Sequence, residues 1–321
     1  MKYFMGIDVG TNETKGVLID QTCAIVAFAS RGHELLNPRP GFFEHDAEGT
    51  WWGDFCAVSR QLLRESGVSA ADVGCVGLSA LGCDCVPVDA EGTALCNAIL
   101  YGVDSRSHKE IEWLYDYYGR EEAERLYGHE LCSSDIAPKI LWVKNNLPQV
   151  YAKTAKFLTG SSYLCAKLTG EYTIDRYLAE DFAPLYDLKR DTVDEEHCGL
   201  YCRPDQLARV MNATDVAGTV TAKAAAQTGL AQGTPVLVGT GDSGAEAIST
   251  GVFRPGDIMV QMGSSCYFVY LTDHLLNEPR LWPGTFIIPG VYSVCAGTNT
   301  AGTLTPGWAL LAADGKGGVQ A

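Results

Sequence analysis

The chain opens with three runs rich in β-branched and aromatic residues, KYFMGIDVG at 2–10, TKGVLID at 14–20 and AIVAFASR at 24–31. Short polar turns at 10–13 and 20–22 part them, which predicts an antiparallel meander. Apolar residues then recur at helical spacing through AEGTWWGDFCAVSRQLLRESG, with Gly67 as the stop. A strand, VGCVGLS, and a second β-rich run, CDCVPVD, lead to a turn over Asp89–Gly92. The run AILYGVD reads as a strand, 105–126 as helical and charge-rich, and 138–170 as mostly helical with Pro148 as a break. TPVLVGTGDSGAEAISTG reads as a buried strand, a glycine-rich turn and a helix, after which GDIMVQMGSSCYFVYL and GTFIIPGVYSVCAGTNTAG return to an antiparallel pattern. This second run of strands repeats the opening order, so a first domain over 1–246 and the start of a second, related one over 247–321 are expected.

Composition narrows the classes. At 321 residues, 46% hydrophobic and 20% charged, the chain is an ordinary globular protein with room for two domains. A net charge of −15 disfavours nucleic acid and anionic membranes as partners, since both require a basic field. No apolar run reaches the roughly 18 residues of a membrane span, and Asp8 interrupts the N-terminal apolar stretch before it attains signal-peptide length. The twelve cysteines are scattered through apolar segments, which points to reduced thiols and a cytoplasmic home. Cys83 with Cys85, and His197 with Cys198 and Cys202, are the clusters considered for a metal; neither has two CxxC-type halves, so free thiols are the expectation.

Two aspartates stand out. Asp8 sits inside a strand, where an ionised carboxylate is costly unless a charge or good hydrogen bonds meet it. It is followed by a small polar turn whose backbone N–H groups, with the hydroxyls of Thr11 and Thr14, suit a phosphate that Lys15 neutralises; Asp8 then suits a hydrated Mg2+. The alternative is a plain hairpin turn. Asp242 lies in Gly239-Thr-Gly-Asp-Ser-Gly244, which fits the GxGxxG spacing of a dinucleotide fold, but its acidic side chain would repel a pyrophosphate and no acidic residue ends the next strand. Asp242 reads better as a base toward a substrate hydroxyl, with simple helix capping as the bland alternative.

In order along the chain, GIDVGTNETKGVLID, GFFEHDAEGTWW, AILYGVDSR, PKILWVKNN, YLCAKLTGEYTIDRYLA, GTPVLVGTGDSGAEAISTG and MGSSCYFV resemble the landmarks of the FGGY carbohydrate kinases, the xylulokinase and glycerol kinase family. The resemblance implies an α/β protein of the actin-like ATPase (ribonuclease H-like) fold, with mixed sheets flanked by helices in two domains, the second incomplete here. It implies ATP and Mg2+ as cofactors and a ketose or polyol as acceptor. It assigns Asp8 to the magnesium site, Thr11, Asn12 and Lys15 to the nucleotide phosphates, and Ser264 and Gly302 to the nucleotide from the second domain. Asp242 matches the catalytic base, with Ser243 beside it, and Gly82, Cys83 and Ser134 match the sugar pocket. The sequence departs from the family at Ala80-Leu81-Gly82-Cys83, where a xylulokinase has a Gln-Met-His-Gly run, and at Asn12 and Glu13 of the turn. Family members are longer, so a truncated chain is expected to bind sugar weakly, bind ATP poorly, phosphorylate little or nothing on its own, and self-associate through uncovered apolar surface, with a homodimer as the candidate assembly. The rival functions are a non-catalytic sugar-binding or regulatory module and an NAD-dependent oxidoreductase.

Overall fold

The computed structural model describes residues 2–262, 266–276, 278 and 280–298. Strands Tyr3–Val9, Glu13–Ile19 and Ile25–Gly32 form the expected meander, with both pairings antiparallel. Val73–Ala80 joins the free side of Tyr3–Val9 in parallel, followed outward by Pro235–Leu237 in parallel and Val216–Thr219 antiparallel to it. The short strand Thr240–Gly241 also pairs with Val73–Ala80, in parallel. The result is a seven-stranded mixed sheet.

Close packing on this sheet is written into small residues. Gly16 lies under the helix Gly53–Ser66, and a Cβ there would come 2.5 Å from Val58 Cγ1 and 3.0 Å from Leu62 Cδ1. Val58 and Leu62 are fully buried against it, each contributing roughly 1.5–3 kcal/mol by burial. The helix stops at Gly67, whose φ of 67° is left-handed, as anticipated. Its entry is a π-helical turn, Ala47–Trp52, capped by Asp46.

Several expected elements are shorter or divided. AILYGVD contributes only Ala98–Ile99, paired with Glu44–His45. The helical stretch at 105–126 is two helices, His108–Tyr118 and Arg120–Tyr127, broken at Gly119 with φ 78°. Within 138–170 the helices Ile136–Asn146, Pro148–Lys153 and Gly160–Thr169 are interrupted by a strand, Lys156–Leu158, that pairs with Val86–Val88. Pro148 opens its helix instead of ending the previous one, because the first helical position has no N–H to lose.

A second, four-stranded antiparallel sheet runs in the order Ile258–Met262, Cys266–Thr272, Tyr292–Thr298, Trp282–Thr285. It has its own small core of Val252, Met259, Val269, Leu271, Phe286 and Cys295. The helix Asp242–Ser249 connects the sheets: it follows a strand of the first and places Ala247 in the core of the second. All twelve cysteines are free. Among the described residues no helix is long and apolar enough to cross a membrane.

Candidate active site

Between the two sheets lies a cavity of about 360 Å³. The first sheet's side supplies Thr11, Leu81–Cys83, Tyr101, His129, Ser134, Asp135, Tyr177–Leu178, Glu180–Asp181, Asp242, Ser243 and Glu246, and the second sheet supplies Tyr267, Trp282–Thr285 and Cys295 among others. Residues of distant sequence position meet here because three strand ends coincide. Asp8, Ser79 and Thr240 are in register across adjacent strands, with Lys15 opposite Asp8 on the other side.

Asp8 has the partners its burial demands. Ser79 Oγ donates to its Oδ1 at 2.8 Å. Burial pushes the Asp8 carboxyl up, and the Ser79 bond and Lys15 charge pull the other way. Asp242 is the first residue of its helix, and Gly241 occupies the cap position. Its Oδ1 accepts the N–H of Ser243 at 2.7 Å. Burial, and then the charges of Asp8 and Glu246, push Asp242 up to about 7. Glu246, one turn further along the same helix, is raised by burial and by Asp8. The three carboxylates are thus near enough to raise one another, Asp8 acting on both Asp242 and Glu246.

The turn after Asp8 is braced from beneath. Gly10 N–H donates to the Glu13 carbonyl at 3.0 Å. His45 is buried and held neutral: Trp51 Nε1–H donates to its Nδ1 at 2.9 Å, so its Nε2–H donates to the Thr11 carbonyl at 3.0 Å. Burial and the neighbouring His33 hold its pKa down to about 4, in keeping with that tautomer. His33 bridges the Gly10 carbonyl at 3.0 Å and Asp54 at 2.9 Å.

The structure brings together Thr11, Gly82, Cys83, Ser134, Asp242 and Ser243 on the cavity wall. Ser243 Oγ lies 2.9 Å from the Tyr177 hydroxyl. Cys83 adopts a left-handed φ of 59°, and its carbonyl accepts from the buried Lys139 Nζ at 2.5 Å. Burial raises the Cys83 thiol well above its usual range, and Asp181, hydrogen-bonded to it, adds to this. Asp8, Asn12 and Lys15 are not on the described wall of this cavity; Lys15 is half-exposed, 3.8 Å from Glu13. Thr14 requires a correction: it is fully buried and its hydroxyl donates to Asp54 at 3.5 Å, so it faces away from a ligand on the turn. Ser264 and Gly302 lie outside the described residues.

Sequence reading missed Glu246, Asp181, His129 and Asp135. Glu246 was accessible from its spacing, four residues beyond Asp242 on a helix. Asp181 is pushed up to about 7 by burial, against the Cys83 hydrogen bond and with the Asp135 charge adding to the rise. His129 is raised to about 10: burial opposes this, and the Asp135 carboxylate 2.8 Å from Nε2 overcomes it. Cys198 and Cys202 lie 3.5 Å apart at sulfur, and among the described residues the group of three close donors is His129, Cys132 and Asp135.

The glycine spacing at 239–244 has a packing origin. Gly239 has φ 82°, and a Cβ there would lie 2.7 Å from the Leu78 carbonyl; Cβ atoms at Gly241 and Gly244 would press on Leu178 at 3.0 Å and Ile287 at 3.1 Å. The strand that follows, Ile258–Met262, belongs to a different, antiparallel sheet, so the βαβ unit of a dinucleotide fold is absent here.

Residues 3–249 match the model of the FGGY family of carbohydrate kinases, N-terminal domain. The chain is 30% identical over 300 residues to an autoinducer-2 kinase of Klebsiella pneumoniae, covering 91% of this chain and 55% of that protein. It is 26% identical over 265 residues to a xylulose kinase of Bacillus subtilis, covering 83% and 52%. The crystal structure of xylulose kinase from Rhodospirillum rubrum superposes with a TM-score of 0.90 at 28% identity, over 98% of this chain and 64% of that one. The chain spans about half the length of the curated relatives it matches. Its architecture is the actin-like ATPase fold, and the chain belongs to the FGGY family of carbohydrate kinases.

Proposed function

We propose that this chain carries the acceptor site and catalytic base of an ATP-dependent sugar kinase, which transfers the γ-phosphoryl group of ATP to a hydroxyl of a ketose or polyol. The observation that carries this reading is Asp242: a half-buried carboxylate on a cavity wall, at a helix start, raised toward neutrality by desolvation and by Asp8 and Glu246. A base of that kind takes the acceptor hydroxyl's proton as its oxygen attacks the γ-phosphorus and ADP leaves. Gly82, Cys83, Ser134 and Ser243 contact the acceptor, with Tyr177 fixing the Ser243 hydroxyl. Thr11, Asn12 and Lys15 meet the nucleotide phosphates from the braced turn, and Ser264 and Gly302 meet the nucleotide from the second unit. Asp8 would hold Mg2+ through water, and the ion, when bound with ATP, neutralises phosphate charge. On this reading the domains divide at 246/247, within the helix Asp242–Ser249, and the protein acts in the cytoplasm on a small sugar or polyol.

The names of the relatives favour xylulose-like or autoinducer-2-like acceptors as a first panel. Calorimetry of this chain with that panel, beside a coupled assay for sugar-dependent ADP release by a chain carrying a complete second domain, tests the reading. ADP release that disappears in Asp242→Asn supports it. Sugar binding with no release under any nucleotide condition supports the non-catalytic module instead, and NAD binding in place of both would revive the oxidoreductase.

A further inference from the structure

The loop between the helices Arg120–Tyr127 and Ile136–Asn146 gathers three different metal-ligating side chains within six residues of chain spacing, as His-x-x-Cys-x-x-Asp. The donor atoms of His129, Cys132 and Asp135 all lie within 4.8 Å of one another. Asp135 occupies the cap position of the helix that follows, yet its side chain makes no capping bond. Both oxygens are instead turned into the loop: Oδ1 lies 2.8 Å from His129 Nε2 and Oδ2 accepts the Cys132 N–H at 2.7 Å. The loop is preorganised by bonds outside the trio, from Leu131 N–H to the Tyr115 hydroxyl at 2.9 Å and from Ser133 Oγ to the Gly102 carbonyl at 2.7 Å. His129 and Asp135 line the cavity, so a ligand position there opens toward it.

We propose that His129, Cys132 and Asp135 form a site for a thiophilic divalent cation of the Zn2+ class on the cavity wall, separate from the Mg2+ that Asp8 would hold. The donor set of imidazole, thiolate and carboxylate is that of zinc, with three protein ligands and one position open to the cavity. Bonds of about 2.0–2.3 Å bring such donors within about 4 Å of one another, so the present spread needs an adjustment of about an ångström. Binding replaces the His129–Asp135 hydrogen bond with metal bonds and releases to solvent both the Cys132 thiol proton and the proton that His129 shares with Asp135, so affinity falls as pH is lowered. The Asp135 oxygen held by the Cys132 N–H supplies the outer support that orients a ligating carboxylate.

The full chain, stripped with chelator and kept in excess Mg2+, is titrated with Co2+ and then Zn2+ while absorbance is recorded. One equivalent of Co2+ is expected to give a sulfur-to-cobalt charge-transfer band that Zn2+ abolishes. Cys132→Ser, with its fold checked by circular dichroism, is expected to lose the band, and His129→Gln to weaken Co2+ binding about 10-fold or more. Without any variant, Zn2+ should protect Cys132 from iodoacetamide in peptide mapping of the native chain. The proposal is overturned if the band persists in Cys132→Ser, if it vanishes instead when Cys198 and Cys202 are both changed to Ser, or if Zn2+ leaves Cys132 alkylation unchanged.

Discussion

Asp242 shows how burial makes a weak base useful. An exposed aspartate is deprotonated throughout the neutral range but holds a proton poorly; at about 7 it can both accept and keep one. In a chain with a complete second domain, Asp242→Asn should therefore lower kcat by about 10²- to 10⁴-fold while sugar affinity, read by calorimetry, changes little. Normal turnover in that variant would reduce Asp242 to a helix-start residue. Because the Glu246 charge helps to raise Asp242, Glu246→Gln should move the acid limb of the rate profile to lower pH; a limb that stays in place would mean that another group governs it. Lys15, half-exposed and only loosely tied to Glu13, can be removed at little cost in folding. Lys15→Ala should weaken ATP binding by roughly 1–3 kcal/mol with an unchanged melting temperature. A fall in both would show that the lysine serves the fold. Asp175 tests burial without catalysis: it is raised to about 7 by burial, although the Thr240 hydroxyl donates to it at 2.7 Å. Its folded pKa exceeds its unfolded one, so its contribution to stability is full below about pH 4 and is lost as pH rises toward 7, at about 1.4 kcal/mol per pK unit. Asp175→Asn should flatten the denaturation midpoint across that window, and a profile parallel to wild type would refute the assignment.

Elements were legible where periodicity was long and hidden where it was short. The meander at 3–32 announced itself by three β-rich runs with polar turns, and its strands match those runs to within one residue at each end they overrun, Glu13 and Gly32. Lys156–Leu158 did not, since three residues carry no period and helices flank it on both sides. AILYGVD is apolar because it is buried, not because it is a long strand. The site was legible where one residue sat against its surroundings, as Asp8 does among apolar neighbours and Asp242 in a glycine-rich turn. It was not legible where function is assembled across the chain, as for Asp181, which meets Cys83 only after folding. Gly239 is instructive because its spacing suggested a nucleotide loop while its geometry answers to the strand beneath it. Gly239→Ala places a Cβ 2.7 Å from the Leu78 carbonyl at a φ of 82°, a double penalty of about 1–3 kcal/mol or more. Urea denaturation should show that loss, and a variant as stable as wild type would mean that the strand Thr240–Gly241 yields easily.

At the scale of the whole molecule the two sheets are unequally covered. The first is buried beneath the helix Gly53–Ser66 and its neighbours, whereas the edge strand of the second, Ile258–Met262, exposes Ile258 and Val260 by 53% each and Met262 by 80%. These three alternate along the strand and so share one face, where register sets Ile258 beside Tyr270 and Val260 beside Phe268. An edge strand offers unpaired backbone groups along its length, and an apolar face next to it adds a drive to exclude water. Together they favour association of this chain with itself. Light scattering over a concentration series should reveal assemblies larger than the monomer, and Val260→Lys should shift them toward monomer by placing a charge on that face. The substitution removes no core contact, because Val260 is not part of the second sheet's core, so the melting temperature should hold. A monodisperse monomer at every concentration, or association indifferent to Val260→Lys, would mean that this face is not what joins the chains, and the exposed residues on the opposite sheet edge, Ile25 and Phe28, would be the next to test.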